Sequence, residues 1–230
     1  MKYEIMGSNM QALKVYLNQG EKIYADSGKL VSKSDNVTMT PRMVGGIFKT
    51  IERKVTGASA LLTVFSSDSG EGHVTLAGVF PGRIVPIELG PGQMFTAEHY
   101  AFLAAEGDIN FTMEAVNIGA AFFGGAGLLL QKFVGPGVVY LHLAGDITIH
   151  DLDGSQTLEV DPGHVAGFDT ALSYKIRFVD NVRTALFGGV GLFLATFKGK
   201  GRVITHSVSR FKLSSEVYLE GLQQFPQKKQ

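Results

Sequence analysis

The histidines are the residues of this sequence whose side chains could most readily do chemistry near neutral pH, as acid–base groups or metal ligands. His142 and His206 lie five residues after a glycine at equivalent places in a repeated pattern, where the first copy has Thr75. Equivalent positions favour hydrogen-bonded strand residues, with a ligand role as the alternative. His164 follows a Pro-Gly turn and Glu98-His99 precedes a predicted strand, and the sequence gives neither an evident partner.

A metal site is conceivable around the sequence HDLDG. His142 and His150 supply imidazoles, and Asp151 and Asp153 supply carboxylates, which are ordinary metal ligands. The competing interpretation is a hairpin tip, because Asp153-Gly154 is a strong turn signal between two strand-like runs. We favour the hairpin and assign no metal ligand.

The motifs of nucleophilic and phosphate chemistry are absent from the sequence. Neither Gly-x-Ser-x-Gly nor His-Glu-x-x-His occurs. A phosphate-binding loop needs a glycine five residues before its Gly-Lys pair, but Ile23 precedes Gly28-Lys29 and Leu194 precedes Gly199-Lys200. We therefore assign no catalytic or cofactor-binding residue and expect a protein that is not an enzyme and holds no cofactor.

Composition favours an all-β protein. The 230 residues include 29 glycines, and strand-forming residues are frequent. Basic and acidic side chains balance at 21 each, which argues against a nucleic-acid partner. The densest basic group, Lys198, Lys200 and Arg202, is interpreted as a solvated hairpin tip. Cysteine is absent, which excludes disulfides and thiolate sites. The N-terminus lacks a secretory signal pattern, so we expect a cytoplasmic location.

The most apolar window does not predict a membrane span. It runs from Ala115 to Leu130, 16 residues that include Asn117 and four glycines. A spanning helix needs about 20 apolar residues. The related window from Ala185 to Ala195 is shorter still.

Three similar segments make up most of the chain. Each contains a Gly-Gly pair, then an apolar run that ends in phenylalanine, then a Gly-x-Gly turn and another strand. The Gly-Gly pairs are Gly45-Gly46, Gly124-Gly125 and Gly188-Gly189, and the phenylalanines are Phe65, Phe133 and Phe197. We predict one compact all-β domain of three repeats, at about 1–80, 81–151 and 152–215, in a pseudo-threefold arrangement, with a short C-terminal segment 216–230.

The turns of each repeat are predicted from glycine chemistry. A Gly-x-Gly between two apolar runs predicts a hairpin, because glycine reaches positive φ without steric cost. The run GLFLATF, which ends at Phe197, is apolar on both faces, as expected for a strand buried between layers. Helix is predicted only at Ser214–Gln224, with Ser214 or Ser215 as its N-cap.

The repeats resemble a known family, the altered-inheritance-of-mitochondria protein twenty-four family. The residues that carry the resemblance are IELGPGQMF, the block FFGGAGLLLQKFVGPGVVYLHLAG and its echo LFGGVGLFLATFKGKGRV. The resemblance covers Met1 to about Leu219. It implies a fold similar to the tryptophan RNA-binding attenuation protein, called TRAP-like, built from β-sandwich-like repeats in an oligomer. Mitochondrial members are associated with inner-membrane organisation. No catalytic residues follow from it.

Our leading hypothesis is a non-enzymatic structural or interaction protein that forms a homo-oligomer through its apolar Gly-Gly loops. Apolar loops of this length would form patches larger than a monomer normally exposes. The residues expected to make these contacts are Gly45, Gly46, Phe122, Phe123, Gly124, Gly125, Phe187, Gly188 and Gly189.

Two alternatives remain open. The same loops suit peripheral association with a membrane surface, where phenylalanine and leucine would enter the headgroup boundary. Basic residues that follow the loops, namely Lys49, Arg53, Lys54 and Lys132, would then meet anionic lipid. The second alternative is a small-molecule binder with a pocket between repeats.

Overall fold

The chain folds into β-strands with very little helix in a computed structural model. The structure describes residues 1–43, 61–116, 128–178, 193–210, 212–214 and 216–217. The strands are β1 (Lys2–Met6), β2 (Ala12–Leu17), β3 (Lys22–Asp26), β4 (Leu30–Lys33), β5 (Val37–Met43), β6 (Leu61–Ser67), β7 (Gly72–Ala77), β8 (Gly82–Leu89), β9 (Met94–Glu98), β10 (Phe102–Gly107), β11 (Asn110–Val116), β12 (Leu128–Val134), β13 (Gly137–Ala144), β14 (Ile147–Val160), β15 (Val165–Asp169), β16 (Ser173–Phe178) and β17 (Phe193–His206).

The strands form three antiparallel sheets. The first sheet has the order β1-β2-β7-β4, and the second has the order β5-β6-β3-β10-β13-β8. The third has the order β11-β12-β9-β15-β17-β14, with β16 also paired to β17. The second and third sheets each combine strands from two successive segments of the chain.

Three hydrophobic clusters lie between and within these sheets. One joins the first and second sheets, one joins the second and third, and the last lies within the curled third sheet. Strand β10 belongs to the middle layer, since Leu103 and Ala104 enter one cluster while Phe102 and Ala105 enter the next. A strand buried on both faces must be apolar at successive positions, and β10 is apolar from Phe102 to Ala105.

The Gly-x-Gly turns are not hairpins, which corrects the sequence prediction. Residues 70–72 lead from β6 in the second sheet to β7 in the first, and residues 135–137 lead from β12 in the third sheet to β13 in the second. In the last segment, β17 continues unbroken through Gly199 and Gly201. Its first half pairs with β16 and its second half with β15. In the first two segments the glycines therefore mark corners where the chain changes sheets, and in the third they lie where β17 changes its partner from β16 to β15 within one sheet.

The predicted hairpin at Asp153-Gly154 is also wrong. Strand β14 runs continuously along β17, with a register irregularity between Asp153 and Thr157. The Asp153 carboxylate accepts hydrogen bonds from the backbone N–H and the hydroxyl of Ser155. Because β17 does not turn back, its partner β14 does not turn either, and the Asp-Gly pair forms a bulge.

The C-terminal helix begins earlier than predicted. Residues 210, 212–214 and 216–217 are helical. The hydroxyl of Ser209 accepts a hydrogen bond from the backbone N–H of Lys212 at 3.4 Å, so Ser209 is the N-cap, not Ser214 or Ser215. In the run GLFLATF, Ala195 and Phe197 are buried, while Leu194 and Thr196 on the other face are half-buried.

Candidate functional site

The residues expected to make intermolecular contacts lie outside the described part of the chain. These are Gly45, Gly46, Phe122, Phe123, Gly124, Gly125, Phe187, Gly188 and Gly189. The strand pairs that flank them are described. Met43 pairs with Leu61, Val116 with Leu128, and Phe178 with Phe193. Each Gly-Gly segment therefore connects two antiparallel strands that pair directly with each other.

A group of ionisable side chains centres on Glu98, His206 and Arg210. Glu98 is the last residue of β9 and His206 is the last residue of β17. The His206 Nε2 atom lies 3.9 Å from a carboxylate oxygen of Glu98 and donates a hydrogen bond to the carbonyl of Gly163 at 3.3 Å. His164 Nδ1 donates to the carbonyl of His206 at 2.9 Å. Strand ends remote in sequence thus meet at one point.

Burial governs the protonation of this group. It raises the pKa of Glu98 to about 7, although the Arg210 guanidinium opposes the rise. Burial together with nearby positive charges lowers the pKa of His142 to about 4. Burial also lowers the pKa of His206 to about 4, although its hydrogen bond to the Gly163 carbonyl opposes the fall. Near neutral pH both imidazoles are therefore uncharged. The Nδ1 atom of His206 is buried and has no hydrogen-bond partner among the described residues.

Arg210 links the C-terminal helix to this group. Its guanidinium lies 4.8 Å from the ring centre of Phe80 and 4.5 Å from that of Tyr100, and it donates a hydrogen bond to the Tyr100 carbonyl at 3.3 Å. Stacking between two aromatic rings fixes the position of the planar guanidinium. Arg210 could not be predicted from the sequence, because nothing local distinguishes it from the other C-terminal basic residues.

Two further histidines border the group. His99 Nδ1 donates to the amide oxygen of Gln131 at 3.3 Å, and the pKa of His99 is lowered chiefly by burial. The ring of His142 packs against Gly78 so closely that a side chain there would collide with it. The pairing registers match His142 and His206 with Ala77 of the first segment, not with Thr75. The first segment therefore has alanine where the other two have an imidazole.

The geometry favours a structural role for this group over a catalytic one. His206 is only 4% exposed, its Nε2 atom bonds the backbone carbonyl of Gly163, and its own carbonyl accepts a hydrogen bond from His164. In the described ranges no three His, Cys, Asp or Glu side chains come close enough to hold a metal ion. His150 instead hydrogen-bonds the hydroxyl of Thr205 at 3.1 Å.

The basic residues near the end of the chain do not form a hairpin tip. Lys198, Lys200 and Arg202 lie along the continuous strand β17. Arg202 forms an ion pair with Asp169 at 3.1 Å, which neutralises one of the three charges. No helix in the described ranges has the length and apolar character of a segment that crosses a bilayer.

Comparison with known proteins identifies the family. The family model described as mitochondrial biogenesis AIM24 matches residues 3–208. An uncharacterised protein of Streptococcus pyogenes serotype M6 is 32% identical over 205 residues, which cover 86% of this chain and 81% of that protein. A crystal structure of a Streptococcus pyogenes protein superposes with a TM-score of 0.73 at 27% identity, over 97% of this chain and 98% of the other. From the extent of these matches, the chain belongs to the mitochondrial biogenesis AIM24 family.

Proposed function

We propose that this protein is a non-enzymatic structural or interaction protein of the cytoplasm that assembles into a homo-oligomer through its three Gly-Gly segments. The observation that carries the proposal is the placement of their flanking strands. Among the described strands, β5 and β11 are terminal strands of their sheets, and β16 pairs only with β17. Apolar segments at sheet edges are where intermolecular contacts form most readily.

A threefold recurrence of strand pairing supports the view that the segments are copies of one unit. Strand β4 pairs with β7, β10 with β13, and β15 with β17, and each pair has a register irregularity near its start. In addition, β3 pairs with β10 and β9 with β15, so each segment is joined to the next in the same way. These recurrences favour the pseudo-threefold arrangement.

The recurrence also bears on the segment boundaries. We retain 1–80 as the first copy and residue 215 as the end of the third, but we move the boundary between the second and third copies, which the sequence placed at 151/152. Because β14 is one continuous strand from Ile147 to Val160, we infer that the third copy begins at Ile147.

Substitutions in the Gly-Gly segments test the proposal. We expect Phe123→Asp and Phe187→Asp to lower the mass measured by light scattering towards that of the single chain, 24.7 kDa. A buried aspartate without a partner opposes association, because its charge must lose its hydration. The matched control is Ile149→Asp, which places the same charge on an apolar residue that is 49% exposed elsewhere on the surface.

The outcomes separate the alternatives. Loss of association in both segment variants, with native circular dichroism and an unchanged control, supports the proposal. An assembly that all three variants retain contradicts it. A monomeric wild type that floats with anionic liposomes, with flotation lost in Phe123→Asp, would replace it with association at a membrane surface.

A further inference from the structure

A cavity of about 230 Å³ lies between the first and second segments. Its walls come from β3, β5 and β6 on one side and from β10 and the start of β11 on the other. We call it the inter-segment cavity. Its apolar wall consists of Leu62, Ala105, Ile109 and Phe111, and its polar residues include Tyr24, Arg42, Asp108 and Asn110.

Small residues at two positions of β10 leave this space open. Ala105 pairs with Tyr24 between β10 and β3, and Phe168 pairs with Thr96 at the corresponding place between β15 and β9. The rings of Phe168 and Tyr174 stack with their centres 5.0 Å apart and fill the junction between the second and third segments. Two residues further on, Gly107 lines the cavity where the next segment has Thr170, whose hydroxyl bonds that of Thr96 at 2.9 Å. The junction of the first and second segments has the same strand pairing as the junction of the second and third, but it lacks the side chains that fill the latter.

The charge on the wall selects the ligand class. The Arg42 guanidinium lies over the Tyr24 ring, 5.0 Å from its centre, and Arg42 is exposed, so its N–H groups are accessible to a carboxylate. Within the described part of the chain, no carboxylate lies within ion-pair distance of Arg42. Exposed Asp108 also lines the cavity and opposes a second negative charge on the ligand.

The size of the cavity limits the apolar body of the ligand. An apolar cavity of about 150 Å³ accommodates benzene. The inter-segment cavity therefore has room for one aromatic ring or a short aliphatic chain together with a carboxylate. We propose that it binds a small monocarboxylate, with the carboxylate on Arg42 and the apolar body against Leu62, Ile109 and Phe111.

Calorimetric titration with benzoate and octanoate tests this site, with benzamide as the uncharged probe. We expect wild type to bind the carboxylates at least about tenfold more tightly than benzamide, as a charge-assisted bidentate contact requires. Arg42→Gln should weaken carboxylate binding by about tenfold and leave benzamide binding unchanged. Arg177→Gln is the matched control. Arg177 has the same register in the third segment, and its guanidinium bonds Glu159 at 2.8 Å.

Filling the cavity provides an independent measurement. Ala105→Phe places in the second segment the side chain that the third has at Phe168, and it should abolish binding of both carboxylates. Ala105→Leu serves if the larger variant fails to fold. The proposal is overturned if either filled variant binds as wild type does, or if wild type binds neither carboxylate at millimolar concentration. The test does not depend on self-association, because a monomeric chain retains both walls of the cavity.

Discussion

Glu98 is a carboxyl group that the fold removes from water at the end of β9. Its pKa rises from 4.5 to about 7, so the native state keeps a proton that the unfolded state loses between these values. The free energy of unfolding should therefore fall as pH rises from about 4.5 to 7 and level off above that range. Glu98→Gln cannot ionise at this position. Between pH 4.5 and pH 7.5, wild type should therefore lose up to about 3 kcal/mol more of its free energy of unfolding than Glu98→Gln does.

Urea unfolding across that pH range measures the effect. Glu88→Gln, which changes an exposed glutamate on β8, is the matched control. A Glu98→Gln profile that runs parallel to that of wild type would show that Glu98 ionises normally in the native state.

His142 has the opposite pH dependence. Its pKa falls from 6.5 to about 4 because burial, Lys29 and Arg210 all disfavour the imidazolium. Stability linked to this residue is present above pH 6.5 and is lost as pH falls towards 4, where the unfolded state binds a proton that the native state does not. His142→Gln should therefore lose less stability on acidification than wild type. His150→Gln is the control. If His142→Gln loses as much of its free energy of unfolding on acidification as wild type does, the lowered pKa of His142 is contradicted.

The sequence predicted part of this residue-level arrangement. The spacing of His142 and His206 identified them as strand residues, and both lie in strands. It could not reveal that Glu98, His206 and Arg210 meet, since their proximity depends on sheet pairing across more than a hundred residues. The sequence predicted hydrogen bonds for both imidazoles. Among the described residues, the side chain of His206 bonds the carbonyl of Gly163, and that of His142 has no such partner.

At the scale of elements, glycine corners carry the chain between sheets. Gly137 begins β13 at φ +151°, and a side chain there would collide with the carbonyl of Glu106. Gly137→Ala should therefore reduce the free energy of unfolding by about 2–4 kcal/mol, from overpacking together with backbone strain. The measurement is equilibrium unfolding in urea.

Gly92 supplies the matched comparison for that variant. It has φ +72° but open space around its α-carbon, so Gly92→Ala should cost only about 1 kcal/mol of backbone strain. Equal losses in the two alanine variants would mean that the corner at Gly137 is not sterically constrained.

The strands were predictable where local chemistry decides them, but their partners were not. Apolar runs ending at Phe65, Phe133 and Phe197 indicated buried strands, and all three rings are 2% exposed or less. The Gly-x-Gly pattern predicted a reversal of the chain. A hairpin and a sheet-changing corner use the same glycine conformations, so the sequence could not distinguish them. The cavity at Ala105 also escaped prediction, because small residues leave a space only after two segments pack together.

The whole molecule links its three hydrophobic clusters through shared strands. Because β10 enters two of them, the first and second segments cannot separate without exposing apolar side chains on both faces of that strand. Between chains, we propose that the apolar Gly-Gly segments, which connect corresponding strand pairs, join copies of the protein. This is the central claim.

Sedimentation equilibrium of the wild-type protein across the micromolar range tests this claim most directly. We predict a mass of at least twice 24.7 kDa, at a whole multiple of it, that is unchanged by high salt, because apolar contacts are not screened as charges are. A mass of 24.7 kDa at every concentration would contradict the claim.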